Sequence, residues 1–202
     1  MRRFNVLERT LCVQLDARRS SLTNHVLSSQ KEVSMSTAAP FVSPAMAIEK
    51  DWIDYNGHLN MAYYNVLFDR CSDEAFEIMG MGPDYAKQRR LTIYTAEVHV
   101  CYIRELHLDH KVYVSFQLLD HDDKRLRAYQ EIRHVDGWLA ATSESLSLHV
   151  DMSGPKVAPF PADVLAKVEV MRAAHAALPM PERAGRSIGI RRKAPEPQSD
   201  RR

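Results

Sequence analysis

The chain is short of the features that mark several large protein classes. Its 202 residues contain three cysteines, Cys12, Cys71 and Cys101, and no Cys-x-x-Cys pair. That number and spacing argue against a disulfide scaffold or a zinc ribbon, and a reducing cytoplasm fits best. No run of about 18 apolar residues occurs, so nothing reads as a membrane-spanning helix. Lys and Arg number 27 against 26 Asp and Glu, a net charge of +1. No global field therefore draws the chain to nucleic acid or to a lipid surface. No internal repeat is visible, and no helix pair of the DNA-binding type.

What remains is ordinary globular composition: 45% hydrophobic and 26% charged residues, enough for one domain with a sizeable core. The ends differ from the middle. Arg2, Arg3, Arg9, Arg18 and Arg19 are interspersed with serines, a composition shared with transit peptides. Glu8, Asp16 and Glu32 weigh against that, and the reading adopted is a disordered leader over 1–38, with Met35 a candidate initiator. From Pro179 to Arg202 the chain is rich in Pro and Arg and reads as a disordered basic tail. The domain between is expected over 39–178.

Within it, Tyr64, Leu67, Phe68, Cys71, Ala75, Ile78 and Met79 recur at three and four, one stripe of a helix over 61–79. Asn60 suits its N-cap, and Gly80 with Pro83 suits its end. At 1.5 Å per residue it runs roughly 28 Å, the length of a central helix. The period then changes to two. Strands are predicted over 93–103, 111–119, 125–135 and 138–150, with Asp136-Gly137 as a hairpin turn. An earlier strand over 41–49 is limited by Pro44 to an edge. A second helix is expected from Pro161 to about Ala177, with proline in its first position. One long helix with a meander of antiparallel strands gives an α+β class, the sheet curled around the helix.

The chemistry concentrates in Asp54-Tyr55-Asn56-Gly57-His58-Leu59-Asn60. A carboxylate, an amide and an imidazole fall within five positions, directly before the long helix. The helix start would aim unpaired backbone N–H groups, at Asn60 and Met61, into the same small volume. An acyl-transfer site needs these parts: a base or nucleophile, an orienting group, and donors for a developing oxyanion. Glu97 and Glu105 are carboxylates in or beside an apolar strand. His107-Leu108-Asp109-His110 offers two imidazoles, but no third ligand is near in sequence, so it reads as a solvated turn and no metal site is expected.

The Asp-x-x-Gly-His segment leading into a long helix and then a four-strand meander resembles the hotdog-fold acyl-CoA thioesterases of the 4-hydroxybenzoyl-CoA type, over residues 41–152. The resemblance implies that Asp54 attacks the thioester carbonyl, or activates water to do so. It implies that the backbone N–H near Met61 polarises the carbonyl oxygen, and that the chain forms a homodimer or homotetramer. Asp54, Asn56, His58 and the later Glu105 also resemble the Asp-x-Asn-x-His and Glu pattern of plant acyl-ACP thioesterases. That likeness implies a network in which Glu105 or Asp54 activates water while His58 and Asn56 orient and donate. Glu97-Val98-His99, Lys124-Arg125-Leu126, Leu148-His149-Val150-Asp151 and Ala174-His175-Ala176-Ala177-Leu178-Pro179 look like the thioesterases that partner L-carnitine dehydrogenase. Those enzymes split betainyl-CoA into glycine betaine and CoA, without a cofactor beyond the CoA of the substrate. For such a substrate Trp52, Tyr64 and Glu97 are the expected binding residues. Trp52 and Tyr64, with Tyr55 and Trp138, are candidates for cation–π contact with a quaternary ammonium.

Two other functions fit the same expected fold. An enoyl-CoA hydratase would show Asp-x-Asn-Pro-x-His, whereas here Gly57 and a shorter spacing stand in that place. A non-catalytic acyl-CoA-binding module would keep the pocket and have no need of Asp54.

Overall fold

The computed structural model describes residues 39–190. The leader expected over 1–38 and the tail beyond Ile190 lie outside the described residues.

Among the described residues, seven strands form one antiparallel sheet. They are β1 (Phe41–Val42), β2 (Met46–Ala47), β3 (Leu91–Tyr102), β4 (Lys111–His121), β5 (Arg125–His134), β6 (Leu139–Asp151) and β7 (Lys156–Val157). The order is β1-β4-β5-β6-β3, with β2 also on β4 and β7 also on β6. The single strand expected over 41–49 is two short pieces. Pro44 has no N–H to give the ladder, so the chain leaves β4 and rejoins it two residues later.

Helix α1 (Met61–Ile78) is the predicted central helix. Its stripe Tyr64, Leu67, Phe68, Cys71 and Ala75 is buried, and it packs on β4 and β5. Burial pushes the Cys71 thiol up to about 12, so it behaves as a small apolar group. Gly80, at φ +82°, ends the helix. Met81 N–H reaches back to the Phe76 carbonyl and Gly80 N–H to that of Glu77, satisfying groups the helix leaves unpaired. Pro83, read in the sequence only as a stop, instead begins a short helix α2 (Pro83–Arg89), whose Tyr85 is buried. The Tyr85 hydroxyl lies 2.7 Å from His149 Nε2, while His149 Nδ1 lies 2.8 Å from the Ala158 carbonyl.

Helix α3 (Ala162–Ala176) packs on β4. Pro161 is its N-cap rather than its first helical residue, one position earlier than expected. Past the stretch of β4 that β1 covers, the Leu118 N–H would be left open. His175 Nδ1 accepts it at 2.9 Å, from a side chain buried to 5% exposure. The expected disordered tail is corrected over part of its length. Pro179 and Gly185 lie on the sheet, with Gln117 Nε2 donating to the Pro179 carbonyl and Gly185 N–H to Glu144. Pro and Arg content alone gave no sign of these backbone contacts.

Candidate active site

The loop before α1 is built around Asp54. Its N–H donates to the His58 carbonyl at 2.9 Å, and its own carbonyl accepts the Gly57 N–H at 3.0 Å. One carboxylate oxygen accepts the Asn56 N–H at 2.8 Å. Gly57 sits at φ +78°, a conformation in which a side chain would be strained. A bridge between Ile53 and Leu59 closes the loop. Leu59 N–H donates to the Leu106 carbonyl and Asn60 N–H to that of Trp52, tying the loop to its neighbours. Asp54 is half-buried; its second carboxylate oxygen has no partner among the described residues.

Asn60 caps α1 through its side chain, accepting the Ala62 N–H at 3.0 Å. Its own N–H is used by Trp52, so of the two donors expected there, Asn60 is spent on structure. The Met61 N–H has no acceptor among the described residues. Met61 is fixed at its other end, where the Tyr102 hydroxyl donates to its carbonyl at 3.2 Å.

His58 and Glu105, 47 positions apart, come together, with His58 Nε2 3.6 Å from Glu105 Oε2. Asn56 is exposed in the turn. Trp52 and Tyr64 are buried, at 6% and 4% exposure. Trp52 stacks on Tyr63 with ring centroids 5.4 Å apart and carries the Arg70 guanidinium 4.8 Å above its ring. Its cation–π face is therefore occupied from within the chain. The Tyr64 hydroxyl accepts the Leu106 N–H at 3.2 Å, and burial raises its pKa above the usual phenol value. Tyr55 is 97% exposed, and Trp138 lies between His134 and Arg104. Three of these aromatics thus have separate partners, the fourth is in solvent, and they form no cage.

Glu97 stands apart as well. A bulge between Thr95 and Glu97 shifts the phase of β3. Glu97 and His99 then share a cavity of about 330 Å³ with Arg127, Glu144 and Gly185. Thr95 and Val98 line a different groove of about 310 Å³. There α1 presents Asn65, Asp69 and Ser72, and the sheet presents Gln130, Ser143, Ser145 and Ser147. Asn65 is one helical turn beyond Met61. The groove was missed in the sequence, although serine at alternate positions of β6 and polar residues at 65, 69 and 72 of the helix carried the signal. His107, whose segment reads in the sequence as a solvated turn, stands beside His58, with its Nδ1 3.1 Å from the Gly57 carbonyl. Arg89, Arg125 and Arg127 are each held by a carboxylate, of Asp163, Asp122 and Glu144.

Residues 48–168 match the model of the thioesterase-like superfamily. The betainyl-CoA thioesterase of Pseudomonas aeruginosa is 38% identical over 141 residues, covering 69% of this chain and 89% of that protein. The L-carnitine dehydrogenase/betainyl-CoA thioesterase of Rhizobium meliloti is 33% identical over 160 residues, and the match spans 79% of this chain and about a third, 32%, of that longer protein. A Staphylococcus aureus protein solved in complex with CoA shares the fold, with a TM-score of 0.72 at 24% identity over 76% of this chain and 97% of that one. A candidate thioesterase from Pseudomonas putida superposes with a TM-score of 0.66 at 28% identity, over 76% of this chain and 98% of that one. The α+β hotdog architecture and the matching model over most of the domain lead to one statement: this chain belongs to the thioesterase-like superfamily.

Proposed function

We propose that the chain hydrolyses an acyl-CoA thioester with a small cationic acyl group, betainyl-CoA, to glycine betaine and CoA. What carries this reading is a half-buried carboxylate, Asp54, in the loop that leads directly into α1, whose first N–H, that of Met61, has no acceptor among the described residues. A thioester carbonyl is already electrophilic, so these parts suffice. Asp54 carries the attack, directly or by taking a proton from water. The Met61 N–H and the positive end of the helix stabilise the oxyanion. The C–S bond then breaks and CoA leaves as thiolate, which takes up a proton; where water attacked, the acyl group leaves as carboxylate, and where Asp54 attacked, water then hydrolyses the acyl–Asp54 anhydride to the carboxylate and free Asp54. His58 and Glu105, 3.6 Å apart, orient water and relay its proton, and Asn56, whose backbone N–H holds the Asp54 carboxylate, orients that group. No metal or redox group enters any step of this scheme.

The hydroxyl-lined groove suits the acyl group. A fatty chain would leave Ser143, Ser145 and Ser147 without water or partners, which is costly. A trimethylammonium group gains from Asp69, the carboxylate lining the groove. The kinship with proteins that join this domain to L-carnitine dehydrogenase supports a functional link to carnitine breakdown.

A homodimer is part of the reading. Strand β3 is a twelve-residue sheet edge with no neighbour on its outer side among the described residues, and it exposes Tyr94, Val98 and Tyr102 at 45–48%. Long apolar edges of this kind are ordinarily covered. A second copy paired there would close the groove. The cysteine content is in keeping with a cytoplasmic setting. The test is CoA release, followed with a thiol reagent, across a panel of acyl-CoAs. Turnover is expected to be highest with betainyl-CoA, and no release from any of them would refute the assignment.

A further inference from the structure

Three donor side chains from two separated stretches meet at the 53–59 loop. His58, Glu105 and His107 each offer one ligand atom, and these atoms all lie within 4.8 Å of one another. The His58 and His107 rings meet edge to face, centroids 4.9 Å apart at 89°, so they approach a common point from different directions. The tautomer of His107 is set by its surroundings. Its Nδ1 faces the Gly57 carbonyl at 3.1 Å; a carbonyl only accepts, so Nδ1 carries the hydrogen and Nε2 the lone pair. Histidines that bind metals hold their second N–H on a carbonyl in this way. Neighbouring imidazoles are committed differently. His110 Nδ1 accepts the backbone N–H of His107, and His134 Nδ1 accepts the backbone N–H of Asp136.

We propose that His58, Glu105 and His107 form a binding site for one divalent transition-metal cation, with zinc as the reference ion. Two imidazoles and a carboxylate are a borderline-soft donor set suited to zinc, cobalt or nickel rather than magnesium or calcium. Bonds of about 2.0–2.2 Å require the donors to draw closer than they stand. Glu105 is 66% exposed and His58 36%, so both have room to rotate inward. Three protein donors leave a fourth position for water. Because His58 and Glu105 also belong to the proposed catalytic set, an occupied site withdraws them from the thioester. On the hydrolase reading, the cation is then a reversible inhibitor.

The test uses the full chain without a histidine tag and the metal alone. Co²⁺ is titrated and its visible d–d absorption followed, with Zn²⁺ displacement as the competition arm. One tightly bound equivalent per chain is expected, displaced by Zn²⁺. Glu105→Gln, at an exposed position that leaves the fold intact, and His107→Gln should each weaken binding by roughly tenfold or more. His121→Gln should not change it. Absence of a stoichiometric band, or equal affinity in Glu105→Gln and native protein, overturns the proposal. No substrate is involved, so metal binding by a protein that cleaves no thioester would sink the hydrolase reading and leave this site standing.

Discussion

The two halves of the sheet face the helix side with opposite chemistry. On β4 the residues Val112, Val114, Phe116 and Leu118 are fully buried, with α1 on that half of the sheet. On β6 the corresponding alternate positions are Ser143, Ser145 and Ser147, and on β3 Thr95 and Val98, lining an open groove. One continuous ladder joins the halves, so the difference lies in side chains and not in backbone. The apolar half supplies stability, because burying alkyl and aromatic surface is what folding gains most from. The hydroxyl half gives up that gain and leaves an open, polar groove. A close-packed scaffold and a hydroxyl-lined groove thus occupy two parts of one sheet.

The comparison breaks if substitutions in the two halves act alike. Phe116→Ala should cost about 3–5 kcal/mol in urea unfolding, whereas Ser145→Ala should change stability by less than about 0.5 kcal/mol. Equal costs would erase the distinction. Next in size, Asp69→Asn should raise KM for betainyl-CoA roughly tenfold, equivalent to about 1.4 kcal/mol, and leave KM for acetyl-CoA nearly unchanged. A uniform rise for both substrates would mean that Asp69 does not read the cationic group.

Much of this arrangement was legible in the sequence. The helix, the meander and the Asp54 loop follow from patterns of period 3.6 and 2 and from local turn chemistry. The long-range partners were not. His58 and His107 are 49 positions apart in the chain, and their rings meet where the Leu59 N–H ties to the Leu106 carbonyl. The bulge between Thr95 and Glu97 shifts the phase of β3 and sets which cavity Glu97 lines, and a bulge leaves no mark in strict alternation. Trp52 and Tyr64 were chosen for their rings. What decides their roles is the Arg70 guanidinium over one and the Leu106 N–H on the other, both set by tertiary packing.

Smaller effects sharpen the contrast. Asn60→Ala removes the cap from α1 and should cost about 1 kcal/mol. It should also slow catalysis if the helix start frays, with a lower kcat at nearly constant KM. The smallest expected effect is on pH. Burial holds the His175 pKa below its ordinary 6.5, so the unfolded chain takes up the proton first. The stability His175 contributes is full above about 6.5 and falls away as pH drops through the depressed folded value. His175→Gln keeps an acceptor for the Leu118 N–H and should flatten the loss of stability between pH 7 and 5. Ser145→Ala, in the other half, should leave that slope as it is.

The central claim is that Asp54 beside the start of α1 carries thioester hydrolysis. Its most direct test is the rate of CoA release from betainyl-CoA by native protein and by Asp54→Ala, with unchanged thermal unfolding as the control for folding. A fall in kcat of roughly 100-fold or more is predicted; hydrolysis by the variant within a few-fold of the native rate would contradict the account.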